Sequence, residues 1–171
     1  MKKFLIKSSF GSYEVNNSRL SKNFFFKNSK NVFYLIDRNV YSKNKIINQI
    51  KKNIILIKSD ENSKNYLKIS DIIQKILKKK IKRDSVIFAI GGGVVQDISG
   101  FIASILFRGI KWNFIPTTIL AQCDSCIGGK TSINFDKYKN QLGNFYPPKK
   151  IFLDTNLLDT LKVRDIKSGL G

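Results

Sequence analysis

Three consecutive glycines follow an apolar stretch of the sequence, and their position suggests a binding site for a phosphate group. Gly91, Gly92 and Gly93 come directly after the run 86–90, and Asp97 lies four residues beyond them. Glycine has no Cβ atom, so the backbone can turn sharply and a ligand can approach the main-chain N–H groups closely. A helix that starts there adds unpaired N–H groups and the positive end of its dipole, which favour a phosphate or pyrophosphate. The alternative is a tight turn that only packs a helix against a strand.

The glycines match part of the dinucleotide-binding fingerprint G-x-G-x-x-G. Gly91 and Gly93 fit its first two glycines, whereas Gln96 occupies the third position. The motif alone therefore does not establish a standard Rossmann unit, although a nucleotide phosphate site remains the better interpretation.

The elements that must position these glycines are predicted from hydrophobic runs. Residues 4–6 and 13–15 suggest an opening hairpin, and the apolar runs 32–36, 54–57, 86–90 and 112–115 predict buried strands. Helical spacing is found over 41–50, over 63–80 and from the glycines to about residue 106. Strands of continuous apolar character that alternate with helices predict an α/β fold, a Rossmann-like parallel sheet with helices on both faces.

Polar residues follow several of these strands, at one edge of the predicted sheet. Ligands of such sheets bind beyond the carboxyl ends of the strands. We therefore expect Asp37, residues 59–61, the glycines, Thr117 and Thr118 to share one edge. A carboxylate such as Asp37 can accept hydrogen bonds from both ribose hydroxyls of an adenosine, and the threonines can donate to a phosphate or nicotinamide. A helix cap for Asp37 and turn chemistry for the threonines are the alternatives.

Composition narrows the class of protein. The chain has 171 residues, 42% of them hydrophobic, which predicts one folded domain rather than a disordered chain. The net charge of +19 would suit nucleic acid, but the lysines are spread along the chain, so we do not expect nucleic-acid binding. No segment is predicted to act as a signal peptide or membrane span, and we expect a cytoplasmic protein. Cys123 and Cys126 form a C-x-x-C, yet the chain has no second pair and no histidine to complete a closed zinc site, so their role stays open.

Five strings between residues 91 and 140 carry a family resemblance. They are G-G-G-V-V-Q-D at 91–97, F-R-G at 107–109, I-P-T-T-I-L-A-Q at 115–122, D-S-C-I-G-G-K-T-S-I-N at 124–134 and Y-K-N at 138–140. In this order and spacing they strongly resemble the 3-dehydroquinate synthase family of sugar phosphate cyclases. The resemblance is weak at the start of the chain and dense after residue 86.

The resemblance implies an NAD-dependent lyase of the shikimate pathway, which leads to aromatic amino acids. Such an enzyme converts 3-deoxy-D-arabino-heptulosonate 7-phosphate to 3-dehydroquinate with loss of phosphate. The implied cofactor-binding residues are Asp37, Asn39, Glu61, Lys64, Gly93, Val94, Val95, Gln96, Asp97, Thr117, Thr118, Lys130, Lys139, Phe152, Leu153, Asp154 and Thr155. The implied catalytic or substrate-binding residues are Arg108, Asp124, Lys130 and Asn140. Cations suit the carboxylate and phosphate of the substrate, and Asp and Asn suit its hydroxyls.

The resemblance also sets expectations for what lies outside this chain. Family members are about twice as long, and a Glu and two His of an all-helical C-terminal domain bind a divalent metal, zinc or cobalt. We therefore expect residues 1–171 to be the N-terminal NAD-binding α/β domain, with 151–171 leading into the helical domain. We expect no metal ligand in this chain, no turnover by the isolated chain, and a homodimer for the full-length protein.

Two positions depart from the family pattern and keep other functions open. Gln96 and Ser132 stand where a small residue and a glycine are usual. A related sugar phosphate cyclase of secondary or polysaccharide metabolism is therefore the main alternative, and a non-catalytic NAD-binding module is another. An iron-dependent or glycerol-type alcohol dehydrogenase shares the architecture, but the cations Arg108 and Lys130 argue against it.

Overall fold

A seven-stranded sheet is the centre of the computed structural model, which describes residues 2–17, 19–26, 31–161 and 163–170. The strands are β1 (Lys2–Ile6), β2 (Tyr13–Asn17), β3 (Val32–Asp37), β4 (Ile54–Ile57), β5 (Val86–Gly91), β6 (Lys111–Pro116), β7 (Lys130–Phe135), β8 (Tyr138–Phe145) and β9 (Lys150–Leu153). The α-helices are α1 (Lys22–Phe26), α2 (Arg38–Lys43), α3 (Tyr66–Lys78), α4 (Gly93–Ile105) and α5 (Val163–Leu170).

The strands of the central sheet run in the order β1-β2-β9-β6-β5-β3-β4. Strands β2, β9, β6, β5, β3 and β4 pair in parallel, and β1 joins the edge antiparallel to β2. The chain passes from β3 outward to β4 and then returns to β5 on the other side of β3. The strand order therefore reverses between β3 and β5, which is where open α/β sheets bind ligands.

Apolar side chains of alternating strand residues pack against helices on both faces of the sheet. On one face, Ile87 and Ala89 of β5 belong to the same core cluster as buried residues of α3 and α4. On the other face, Phe88 and Ile90 pack with Val40 of α2 and their neighbours. The fold class predicted from the sequence, a Rossmann-like parallel sheet covered on both faces, is thus confirmed.

Two helices differ from the bounds predicted by hydrophobic spacing, because polar caps decide where they begin and end. The helix predicted over 41–50 is wrong: α2 starts at Arg38, directly after Asp37, and ends at Lys43. The side chain of Asn44 accepts hydrogen bonds from the N–H groups of residues 46 and 47, and a separate 3-10 turn follows at Ile47–Gln49. The helix predicted over 63–80 is a 3-10 turn, Glu61–Lys64, and then α3, which Asn65 caps.

A second, two-stranded sheet lies on the outer side of α4. Strands β7 and β8 pair antiparallel as a hairpin, which hydrophobic runs did not predict. Gly100 of α4 lets the hairpin approach closely, since a Cβ atom there would lie 2.5 Å from Cγ2 of Thr131. The hairpin is therefore held beside the sheet by its contact with α4.

Candidate functional site

A cleft of about 790 Å³ lies at the carboxyl ends of β3, β5 and β6. It occupies the position where the strand order reverses. The predicted edge residues largely meet here, and the last helix, α5, contributes to the wall. The lining residues are Asp37, Asn39, Val40, Lys43, Ser59, Gly92, Gly93, Val94, Thr117, Thr118, Leu120, Leu161, Asp165 and Gly169.

The glycines give this cleft an open helix start. Gly92 precedes the first residue of α4, and no side chain of the described residues caps that helix. A Cβ atom on Gly91 would lie 2.6 Å from Val95, and one on Gly92 would lie 2.8 Å from Thr118. A Cβ atom on Gly93 would meet nothing within 4 Å. The first two glycines therefore serve close packing, whereas Gly93 exposes the amino end of the helix to the cleft, where an anion is favoured.

Two side chains in the cleft have hydrogen-bonding capacity left over. The Oγ1 atom of Thr117 is buried and has no hydrogen-bond partner among the described residues. The Oδ1 atom of Asp37 caps α2 by accepting from the N–H groups of Asn39, at 2.7 Å, and Val40, at 3.4 Å. That bonding leaves the second carboxylate oxygen, Oδ2, for another donor. A ligand in the cleft that supplies a donor would satisfy the second oxygen of Asp37.

The buried side chain of Lys64 lies at the centre of a polar cluster, which we call the Lys64 cluster. One of its members, Asp97, lies one helical turn after Gly93 on α4. The Lys64 side chain is 6% exposed, and its ammonium donates to Asp97 Oδ2 at 2.8 Å and to Asn140 Oδ1 at 2.6 Å. Glu61 Oε1 lies 3.9 Å from the same nitrogen. Burial raises the pKa of Asp97 above its ordinary value, while the Lys64 ammonium acts in the opposite direction.

The β7–β8 hairpin completes this cluster. Asn134 donates to Glu61 Oε1 at 2.8 Å and accepts from the backbone N–H of Asn140 at 2.8 Å. The hydroxyl of Ser132 donates to Asn140 Oδ1 at 3.0 Å. That oxygen thus accepts from both Lys64 and Ser132, so the side-chain NH₂ of Asn140 remains to donate to a ligand. Neither Asn134 nor Ser132 was among the predicted site residues, because their role depends on contacts across the fold.

Other predicted site residues lie apart from the cleft. Val95 is fully buried in the core. Arg108 follows the carboxyl end of α4, whose 13 residues span roughly 20 Å. It therefore lies towards the amino ends of the parallel strands, whereas Gly93 lies at their carboxyl ends. Lys130 and Lys139 are exposed on the hairpin.

The predicted residues 152–155 serve the packing of β9 and of the turn that follows. The Asp154 carboxylate accepts from the N–H of Leu20 at 2.7 Å and from Asn156. Phe152 packs among aromatic rings, with Phe24 at 4.7 Å between centroids. Leu153 is partly buried and Thr155 is exposed. This segment is predicted to bind the cofactor, whereas Phe152 and Asp154 make their contacts within the fold.

Asp124 and Gln96 lie on two elements that contact each other. Asp124 is exposed on a single π-helical turn, Ala121–Ser125, which follows Thr117 and Thr118 in the chain. Gln96 lies on α4, and its buried side chain hydrogen-bonds Ser125 rather than facing the cleft.

The described residues contain no group of three or more Cys, Asp and Glu side chains suited to holding a metal ion. The two cysteines differ in environment: Cys123 is exposed, and burial raises the pKa of the Cys126 thiol to about 11. Among the helices that the structure describes, none combines the length and apolar character needed to cross a bilayer.

The arrangement defines a Rossmann-like α/β domain with a cleft at the point where the strand order reverses. Comparison with known proteins identifies the family. The family model for the N-terminal part of 3-dehydroquinate synthase matches residues 53–168. A 3-dehydroquinate synthase of Dictyoglomus turgidum is 48% identical over 120 residues, and one of Clostridium tetani is 41% identical over 150 residues. This chain belongs to the 3-dehydroquinate synthase family.

The matches cover most of this chain but a smaller part of each relative. The Dictyoglomus match spans 70% of this chain and 34% of the relative, and the Clostridium match spans 85% and 40%. The chain thus spans well under half the length of these curated relatives.

Solved structures confirm the fold. A 2-deoxy-scyllo-inosose synthase superposes with a TM-score of 0.83 at 23% identity, covering 99% of this chain and 51% of that protein. The 2-epi-5-epi-valiolone synthase of Streptomyces hygroscopicus, solved with NAD⁺ and Zn²⁺, gives 0.83 at 26% identity, covering 96% and 48%. An iron-containing alcohol dehydrogenase of Corynebacterium glutamicum gives 0.66 at 15% identity, covering 89% and 42%.

Proposed function

We propose that this chain is the NAD-binding domain of a 3-dehydroquinate synthase. The complete enzyme would convert 3-deoxy-D-arabino-heptulosonate 7-phosphate to 3-dehydroquinate and phosphate, as a carbon–oxygen lyase. The observation that carries the proposal is the uncapped start of α4 at Gly93, which opens into a large cleft one turn from the Lys64 cluster. Family membership supports the same reaction.

The residues of the cleft fit an adenine dinucleotide. The N–H groups at the start of α4 suit its diphosphate, and the open space at Gly93 leaves room for that group. The free oxygen of Asp37 suits a ribose hydroxyl, and Thr117 lines the cleft beside it. We place Asn39, Val94 and Thr118, which also line the cleft, in the same binding site.

When bound, NAD would supply the redox chemistry by taking a hydride from a ring carbon and later returning it. The residues of this chain would bind and orient the sugar phosphate beside it. Asn140 presents its NH₂ group, and Lys64 holds Asp97 and Asn140 in fixed positions. Lys130 and Asp124 are exposed and available to substrate. Arg108, Lys139, Glu61 and residues 152–155 keep their predicted roles as predictions only.

The residues described in this chain do not fit the divalent metal of the family. The sequence has no histidine, and the described Cys, Asp and Glu side chains form no suitable group. We propose that zinc or cobalt is bound by residues outside positions 1–171, and that these 171 residues alone do not turn over substrate. The predicted homodimer, the cytoplasmic location and the lack of nucleic-acid or membrane partners stay predictions.

Calorimetry with NAD⁺ tests the proposed binding directly. We expect the 171-residue chain to take up one NAD⁺, and ADP-ribose to compete with it, because both carry the diphosphate that α4 would hold. No uptake of NAD⁺ at millimolar concentration by a folded sample would overturn the proposal.

The substrate is tested in the longer protein that carries this chain. We expect turnover of 3-deoxy-D-arabino-heptulosonate 7-phosphate with release of phosphate. Preferential turnover of another sugar phosphate would instead assign the chain to a related cyclase, which is the alternative that Gln96 and Ser132 left open.

A further inference from the structure

The side chain of Gln96 joins α4 to the turn that carries Asp124. Gln96 is 4% exposed, and its Nε2 atom donates to the backbone oxygen of Ser125 at 2.5 Å. Its Oε1 atom accepts from the hydroxyl of Ser125 at 3.0 Å. A carbonyl oxygen can only accept, so the first bond fixes the orientation of the amide, and both of its polar ends are used.

The partner of Gln96 is a short segment with an unusual backbone. Residues Ala121–Ser125 form one π-helical turn, closed by a hydrogen bond from the N–H of Cys126 to the oxygen of Ala121 at 3.2 Å. Such turns are rare and often occur at functional sites. A single turn gains little stability from its own hydrogen bonds, so side-chain contacts from neighbouring elements must fix its position.

Contacts hold this turn from two sides. On the side of the sheet, Gln122 donates from its Nε2 atom to the backbone oxygens of Pro116, at 3.0 Å, and Asp154, at 2.9 Å. On the side of α4, Gln96 holds Ser125. Asp124 lies between these two anchors with an exposed side chain.

We propose that Gln96 is a positioning residue, whose paired hydrogen bonds to Ser125 hold the neighbouring Asp124 at a fixed place relative to α4. The inference rests on the proposed function, in which Asp124 orients a sugar phosphate. Gln96 follows Gly93 by three residues on the same helix, so the bond sets Asp124 relative to the proposed diphosphate site.

Hydrogen exchange of the backbone amides tests the link on the 171-residue chain without any ligand. In Gln96→Met, which keeps the apolar volume but removes both bonds, we expect the amides of residues 122–127 to exchange about tenfold faster. In Ser125→Ala, which keeps the bond to the backbone oxygen, we expect a smaller increase. Gln74→Met makes the same change at an exposed position of α3 and should leave residues 122–127 unchanged.

Unchanged exchange at residues 122–127 in Gln96→Met would overturn the proposal. If that variant does not fold, Ser125→Ala decides, and exchange equal to wild type would overturn it as well. A failure of the proposed function would be distinguishable from a failure of this inference, because it would appear as a lack of NAD⁺ uptake by the wild-type chain.

A kinetic comparison in the active, longer protein separates positioning from general stability. We expect Gln96→Met to lower kcat/KM about tenfold when Asp124 is present. In an Asp124→Asn background we expect no further loss, since Gln96 then has no carboxylate to place. An equal loss in both backgrounds would show that Gln96 acts only on the fold and would refute its role as a positioning residue.

Discussion

Replacing Gly93 tests whether the cleft binds a dinucleotide, because the change should weaken binding without destabilising the fold. Gly93 is the first residue of α4 and lines the cleft, and a Cβ atom added there would meet no other atom within 4 Å. The methyl group of Gly93→Ala therefore fits the folded protein without a clash. It would, however, occupy the space through which a diphosphate approaches the N–H groups of the helix.

We expect Gly93→Ala to have opposite effects on stability and on NAD⁺ affinity. Alanine favours the helix over glycine by up to about 1 kcal/mol, so the free energy of unfolding should stay equal or rise. Displacing the diphosphate weakens one or more charge-assisted hydrogen bonds, each contributing about 1.5–3 kcal/mol. One such loss corresponds to an increase of roughly 10- to 100-fold in the Kd for NAD⁺.

Calorimetry with NAD⁺ and denaturant unfolding measure the two effects on the same samples. Gly100→Ala is the matched control, because its Cβ atom would lie 2.5 Å from Thr131 Cγ2 and 3.1 Å from Trp112, away from the cleft. That variant should lose about 1–3 kcal/mol of unfolding free energy but keep its affinity when folded. Wild-type affinity in a folded Gly93→Ala variant would refute the assignment of the helix start as the diphosphate site.

Three further predictions concern single side chains. Thr117→Val removes a buried hydroxyl without a partner among the described residues, so the free energy of unfolding, measured with denaturant, should rise by about 1 kcal/mol; a large loss of stability would contradict this. Burial raises the pKa of Asp97 above 3.8, so the folded state binds that proton more tightly than the unfolded state. The contribution of Asp97 to stability should therefore fall as the pH rises from 3.8 through the raised pKa, and Asp97→Asn should remove this slope from denaturation curves measured against pH; equal slopes would refute it. Iodoacetamide at about pH 8 should label Cys123 quickly and Cys126 only after unfolding, since burial raises the pKa of the latter to about 11; mass spectrometry showing two rapid adducts would contradict this.

The central strands, and the position of the cleft at their carboxyl ends, were predictable because continuous apolar runs define buried parallel strands. Val32–Asp37 and Val86–Gly91 are such runs, and the residues that follow them must share one edge of the sheet. The start of α2 was not predicted correctly, because Asp37 ends a strand and caps a helix at the same position.

The polar cluster could not be worked out from local patterns, because its members are distant in the sequence. Lys64 bonds Asp97 and Asn140, which lie 33 and 76 residues away along the chain. Strand β8, from Tyr138 to Phe145, is largely exposed, so it lacks the apolar alternation that predicts a half-buried strand. Gln96 looked like a defect in a glycine motif, and only its burial against Ser125 gives the side chain a structural role.

Helix α4 contributes to both the cleft and the polar cluster, with Gly93 at its start and Asp97 one turn later. A tilt or slide of this helix would disturb the proposed dinucleotide site and the polar cluster of Lys64 together. If the proposed function holds, a design that alters substrate preference while retaining NAD⁺ should therefore leave the helix in place. The hairpin residues that face it, such as Ser132, are the better positions to change.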